Sequence, residues 1–229
     1  FNRTMIALSC DDPGSRLHRR AVWHCQLSRK GERRMAEQKR TVSWTGLLVA
    51  VSLGYLHPLG AQPRAPEEFV SVTDAMLRDP DPGDWLMAHR TYDHQAYSPL
   101  DEINRNNVGE LKLAWMRAMD EGPQQLRPLV YDGVMYIANP GSDHLQALDA
   151  TTGDLIWDYQ RELPADLREY ARLGDRTRSL TIYGNNIIHL TADAYVAAVD
   201  ARTGVLNWES QLADYRDGVT HSSGAMIIN

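Results

Sequence analysis

Two stretches of this 229-residue chain repeat each other at a fixed offset, and no other feature narrows its fold so far. Ala147-Leu-Asp149-Ala-Thr-Thr152-Gly153-Asp-Leu-Ile-Trp157 and Ala198-Val-Asp200-Ala-Arg-Thr203-Gly204-Val-Leu-Asn-Trp208 align position for position, with their tryptophans 51 residues apart. Upstream, Tyr131-Asp132-Gly133 and Ile182-Tyr183-Gly184 keep the same offset. A fixed period of this size marks a solenoid, a propeller or another array of like units.

Each unit reads as four short strands, near 127–131, 134–138, 144–149 and 154–159 in the first and 179–183, 187–191, 195–200 and 205–210 in the second. Asp132-Gly133 is a two-residue hairpin signal. Asp149 to Gly153 turns the chain before the last strand: Asp can bond its own following backbone, and Gly takes positive φ without steric cost. Four-stranded units around an axis describe an all-β propeller. Trp157 and Trp208 are expected to wedge between neighbouring blades, where a buried indole removes roughly 150–250 Å² from water. A third unit is expected to begin at Ala225-Met-Ile-Ile-Asn229. The expectation is therefore two blades and the start of a third, whereas propellers close with four to eight.

The front of the chain reads differently. Residues 1–40 carry ten Lys/Arg against four Asp/Glu, and residues 41–229 fourteen against twenty-six, so the body is acidic and offers no basic face for a nucleic acid. Both cysteines, Cys10 and Cys25, lie in the basic stretch, which excludes a Cys-based metal site or disulfide framework from the body. Met35-Ala-Glu-Gln-Lys39-Arg40, the apolar run after Trp44 and a small residue, Ala61, form the charged, apolar and small-residue order of a signal peptide. That run is shorter than the ~20 residues a membrane-spanning helix needs. Residues 1–34 begin with Phe and show no apolar period; they are expected to be translated leader DNA. The expected organisation is thus a leader at 1–34, a signal peptide at 35–61, a mature amino-terminal segment at 62–82 and a partial propeller at 83–229.

The AxDxxTGxxxW pattern resembles the tryptophan docking motif of quinoprotein dehydrogenases. Trp85-Leu-Met-Ala-His-Arg-Thr-Tyr-Asp-His-Gln-Ala-Tyr97-Ser98-Pro99-Leu100-Asp-Glu-Ile103-Asn104 and Asn107-Val108-Gly-Glu-Leu111-Lys-Leu-Ala-Trp115 resemble that family's opening segment. The chain is accordingly identified as similar to the amino-terminal part of a PQQ-dependent alcohol or methanol dehydrogenase. The resemblance implies an eight-bladed periplasmic propeller that binds pyrroloquinoline quinone (PQQ) with Ca²⁺ or a lanthanide. It implies oxidation of small alcohols to aldehydes, with electrons passed to a cytochrome c. A homo-oligomer stays compatible with it.

The same resemblance places Arg178 near a PQQ carboxylate, Thr220 and Ser222 where hydroxyls bond the cofactor, and Gln125 where many members have a Glu. The metal ligands and the catalytic base fall in later blades, so no catalytic or metal residue is assigned within 1–229. The family's adjacent cysteines have no counterpart: their place reads Arg172-Leu173-Gly174. His89 and His94 share no helical or strand face and are not expected to hold a metal. The alternative is a non-catalytic propeller scaffold of the outer-membrane assembly type; the absence of a lipid-attachment Cys and the Trp85–Trp115 opening count against it. A membrane-bound glucose dehydrogenase would begin with several membrane-spanning helices, against one short apolar run here. The chain alone is expected to be inactive and poorly soluble.

Overall fold

A computed structural model describes residues 68–141, 143–171 and 176–228, together with the backbone of Thr4–Ser9. The chain divides into two compact units, one of Phe1–Asp11 with Ala61–Asn229 and one of Asp12–Gly60. All described residues belong to the first. The signal peptide expected at 35–61 lies outside them.

β1 (Thr4–Ser9) pairs antiparallel with β2 (Lys112–Ala118). This pairing falls in a stretch without apolar period, but a free strand edge presents unpaired backbone groups that any extended segment can meet. A short helix, α1 (Asp74–Arg78), follows the Thr73 side chain, which accepts a hydrogen bond from the Met76 amide at 3.4 Å.

The body is two four-stranded antiparallel meanders. The first holds β3 (Leu129–Tyr131), β4 (Val134–Ala138), β5 (His144–Asp149) and β6 (Leu155–Gln160). The second, after the short helix α2 (Leu167–Tyr170), holds β7 (Thr181–Tyr183), β8 (Asn186–Leu190), β9 (Tyr195–Asp200) and β10 (Leu206–Gln211). Every strand lies within two residues of its expected place. Asp132 and Gly133 both take positive φ, 47° and 73°, as the tight hairpin between Tyr131 and Val134 requires.

The repeated turns close alike. The Asp149 carboxylate accepts the Thr151 and Thr152 amides at 2.8 and 3.0 Å, and Asp200 accepts those of Arg202 and Thr203 at 3.1 and 2.9 Å. Gly153 and Gly204 follow with φ of 75° and 74°. Each glycine lies under an indole from the preceding unit. Trp157 donates Nε1–H to the Ala201 carbonyl at 2.8 Å, and a Cβ on Gly204 would sit 2.9 Å from its ring. Trp115 of β2 does the same one step earlier, donating to the Ala150 carbonyl at 3.0 Å above Gly153. β2 is thus the outer strand that docks on the first sheet, a role its position 42 residues before Trp157 had not announced.

Trp157 is 7% exposed and belongs to the core shared by both sheets, with Leu129, Tyr136, Leu145, Leu180, Ile182, Ile187 and Val199. Trp208 departs from expectation: it is 47% exposed. No Asp-to-Gly turn among the described residues lies under its ring, and β10, which carries it, is an edge strand of the second sheet. The third unit's first strand is also not formed at 225–228. The segment is instead fastened to the second unit, with the Thr181 hydroxyl donating to the Ala225 carbonyl. The segment before β2 crosses the first strands of both sheets: Val72 bridges Gly184, Trp85 bridges Val130, and Leu77 and Leu86 are buried in the common core.

Candidate functional site

The approaches to the first strands stand side by side. The Arg127 amide donates to the Arg178 carbonyl at 3.3 Å, and the Arg178 amide to the Ser222 carbonyl at 3.0 Å. This ladder brings three of the four expected cofactor residues together. Arg178 Nε donates to Gln125 Oε1 at 2.9 Å, and its Nη1 donates to the Ser222 hydroxyl. Close approach of the third segment depends on Gly224: its amide donates to Ser179 Oγ at 2.9 Å, and a Cβ there would sit 2.8 Å from the Ser179 carbonyl oxygen. Thr220 is turned elsewhere, its hydroxyl donating to the Ala192 carbonyl at 3.2 Å. Beside Ser222, His221 Nε2 is buried without a hydrogen-bond partner.

Arg127, which carried no signal beyond standing two residues after Gln125, also belongs to this region. Its Nη1 lies 2.8 Å from ring nitrogens of His89 and 3.4 Å from the Ala88 carbonyl. His89 stacks on His94 with ring centroids 4.7 Å apart and planes 14° from parallel. No helix or strand aligns these two rings. The chain between them folds back through left-handed conformations at Arg90 (φ 70°), His94 (58°) and Ala96 (49°), closed by an Ala96 amide to His89 carbonyl bond of 3.1 Å. His89 is held below the usual histidine range by desolvation first, then by the Arg127 guanidinium and His94. A cavity of about 240 Å³ adjoins this loop, lined by Met87, His89, Tyr92, Thr181 and Met226 among others.

These residues fit an anionic, multiply hydrogen-bonding ligand. Among the described residues no carboxylate pairs with Arg127 or Arg178, and a planar guanidinium suits a carboxylate in the plane of its fork. No three His, Cys, Asp or Glu side chains among the described residues gather as a metal would need. The stretch Arg172-Leu173-Gly174 lies outside the described residues.

Two charged clusters away from this site tie the docked elements. His144 on β5 meets Asp120, which follows β2, through Nδ1 at 3.0 Å, and Asp158 on β6 through Nε2 at 2.5 Å. Desolvation, the largest influence, lowers the His144 pKa, but the hydrogen bonds to Asp158 and Asp120 outweigh it and the net shift is upward. Arg161, after β6, clamps Asp193 of the second unit through Nε at 3.2 Å and Nη2 at 2.8 Å, and also pairs with Glu209. Both partners of the Arg161–Asp193 pair are largely buried, at 11% and 4% exposed.

Comparison with known proteins agrees with this architecture. Over 131 residues the chain is 41% identical to "Alcohol dehydrogenase (quinone), dehydrogenase subunit" of Komagataeibacter europaeus, covering 57% of this chain and 18% of that protein. The solved structure of quinohemoprotein alcohol dehydrogenase ADHIIG from Pseudomonas putida HK5 superposes with a TM-score of 0.62 at 33% identity, over 69% of this chain and 24% of the other. "Europium-containing methanol dehydrogenase" superposes with a TM-score of 0.61 at 28% identity, over 66% of this chain and 27% of the other. The chain therefore spans less than a third of the length of each. The family described as "PQQ: Glucose/ethanol/alcohol dehydrogenase, beta-propeller domain" matches residues 85–212. Paired four-stranded sheets, indole-on-glycine docking and this match over more than half the sequence together place the chain in the PQQ glucose/ethanol/alcohol dehydrogenase β-propeller family.

Proposed function

We propose that this chain supplies part of the cofactor wall of a PQQ-dependent dehydrogenase that oxidises small alcohols to aldehydes. The observation that carries the reading is Arg178, held between Gln125 and Ser222 with no acidic partner among the described residues. A guanidinium fixed by two neutral groups keeps its charge for a ligand carboxylate, and hydrogen bonds to charged groups are worth more than neutral ones. Gln125 orients the guanidinium without neutralising it. Ser222 sets its depth, and Thr220 braces the third segment against Ala192.

Bound PQQ would accept hydride from the alcohol carbon, with Ca²⁺ or a lanthanide polarising the quinone as a Lewis acid. The base and metal ligands would come from blades that follow in the family. The stretch at 35–61 is the export signal in this reading. The setting is periplasmic and a cytochrome c is the electron acceptor. The test is PQQ uptake by the 229-residue chain, followed through quenching of its indole fluorescence. Saturable uptake that falls at least tenfold in Arg178→Ala is expected; uptake unchanged by that substitution, or none at all, overturns the reading. A non-catalytic scaffold predicts the second result.

A further inference from the structure

Arg127 poses a problem that its own surroundings do not solve. The chain carries a net charge of −6, with its acids concentrated in the body. Yet two arginines joined by a backbone hydrogen bond, Arg127 and Arg178, meet only neutral groups among the described residues: the Ala88 carbonyl and His89 for one, Gln125 and Ser222 for the other. Both arginines lie exposed in the segments just ahead of β3 and β7, and no carboxylate among the described residues pairs with either. The Arg127 guanidinium rests against the imidazole edge of His89, 2.8 Å from both ring nitrogens, and desolvation followed by the Arg127 charge lowers the His89 pKa. The ring that holds Arg127 is itself fixed by stacking on His94 and by a loop with left-handed backbone at Arg90, His94 and Ala96, a local strain of a kind that concentrates where a ligand is clamped.

We infer that Arg127, oriented by the His89–His94 stack, is a second cationic anchor, so that Arg127 and Arg178 together take a ligand bearing two or more carboxylates. This rests on the reading of Arg178 as a carboxylate anchor and extends it to the neighbouring segment ahead of β3. PQQ, a tricarboxylate, is the occupant that reading names. His89 and His94 are positioning residues: His89 touches the guanidinium, and His94 holds His89 by stacking on it. Sequence position alone had set the two histidines aside, because the turn that stacks them is invisible to any strand or helix period.

The experiment titrates the 229-residue chain, in parallel, with PQQ and with benzene-1,2,4-tricarboxylate, reading indole fluorescence for the first and competition or calorimetry for the second. The variants are Arg127→Gln, Arg127→Lys and, as a charge-matched control on the exposed face of α2, Arg168→Gln. Unfolding midpoints verify that each variant is folded. The expected result is about tenfold weaker binding of both ligands in Arg127→Gln, no change in Arg168→Gln, and a shallower salt dependence in Arg127→Gln. His89→Phe is expected to weaken binding less than Arg127→Gln, and adding His94→Phe to it is expected to cause little further loss. If PQQ binds and Arg127→Gln matches the wild type, the second anchor is refuted while the PQQ reading stands. If the tricarboxylate binds in an Arg127-dependent way and PQQ does not, the anchor stands and the PQQ reading falls. If neither ligand binds, both fall.

Discussion

Replacing Gly204 by Ala separates the two jobs that a repeated glycine does in this fold. Gly204 has φ of 74°, and Gly133, in the Asp132-Gly133 hairpin, has φ of 73°. A side chain at either position incurs the same left-handed backbone cost, about 1 kcal/mol. Only at Gly204 does the added methyl meet anything: it would sit 2.9 Å from Cδ2 and Cε3 of Trp157, whereas nothing lies within 4 Å at Gly133. The indole cannot withdraw without giving up its bond to the Ala201 carbonyl and its packing in a site where it is 7% exposed. Overpacking of this sort costs about 1–3 kcal/mol. Gly133→Ala is therefore expected to lose about 1 kcal/mol and Gly204→Ala about 2–4 kcal/mol. Urea unfolding of the 229-residue chain and its two variants, followed by far-ultraviolet circular dichroism, measures both against one m-value. Equal losses would refute the account: they would mean that the glycine is kept for its φ alone and that the indole does not rest on it.

Truncating the two repeat tryptophans should have unequal effects. Trp157→Ala is expected to cost about 3–5 kcal/mol, and Trp208→Ala, in a residue 47% exposed, less than about 1 kcal/mol on the same assay. The His144 latch should depend on pH. Its folded pKa is raised above the unfolded value, so its contribution is complete below the ordinary histidine range and is lost as pH rises through the raised folded value. Asp158, whose pKa is lowered overall although desolvation raises it, adds a term that is lost only in acid. Asp120, Asp143 and Arg117 also face this cluster. With Asp120 and Asp158 well exposed, His144→Gln is expected to cost about 1 kcal/mol at pH 5.5 and little at pH 8.5, read from unfolding midpoints; a larger cost at pH 8.5 would contradict the assignment.

Much of the architecture was legible because its signals are local and repeated. The Asp-to-Gly turn and the Trp after it recur at one interval, so the strands, hairpins and the Trp157 seat could be placed from the letters alone. Trp115 was missed as a docking residue because the interval of 42 breaks the period and no matching turn precedes it. The opening segment was recognised, but its crossing from Gly184 to Val130 is a nonlocal pairing that no period encodes. Of the site, Gln125, Arg178 and Ser222 were named by resemblance, and Arg178 hydrogen-bonds to both of the others. Thr220 was named with them but spends its hydroxyl on Ala192. Arg127 and the stacked histidines stayed hidden because positive φ at Arg90, His94 and Ala96 has no dependable signature in non-glycine residues.

The lodging of one sheet's indole over the next sheet's turn gives the array a direction. Every such contact is heterologous, with a donor surface on one member and a different acceptor surface on its successor. Damage should consequently travel backwards along the chain: a blemish in the 200–204 turn unseats the member before it, while the member after it keeps its own foothold. Growth by this rule leaves one unused donor at the leading end and one unused acceptor at the other, and a closed circle satisfies both at once.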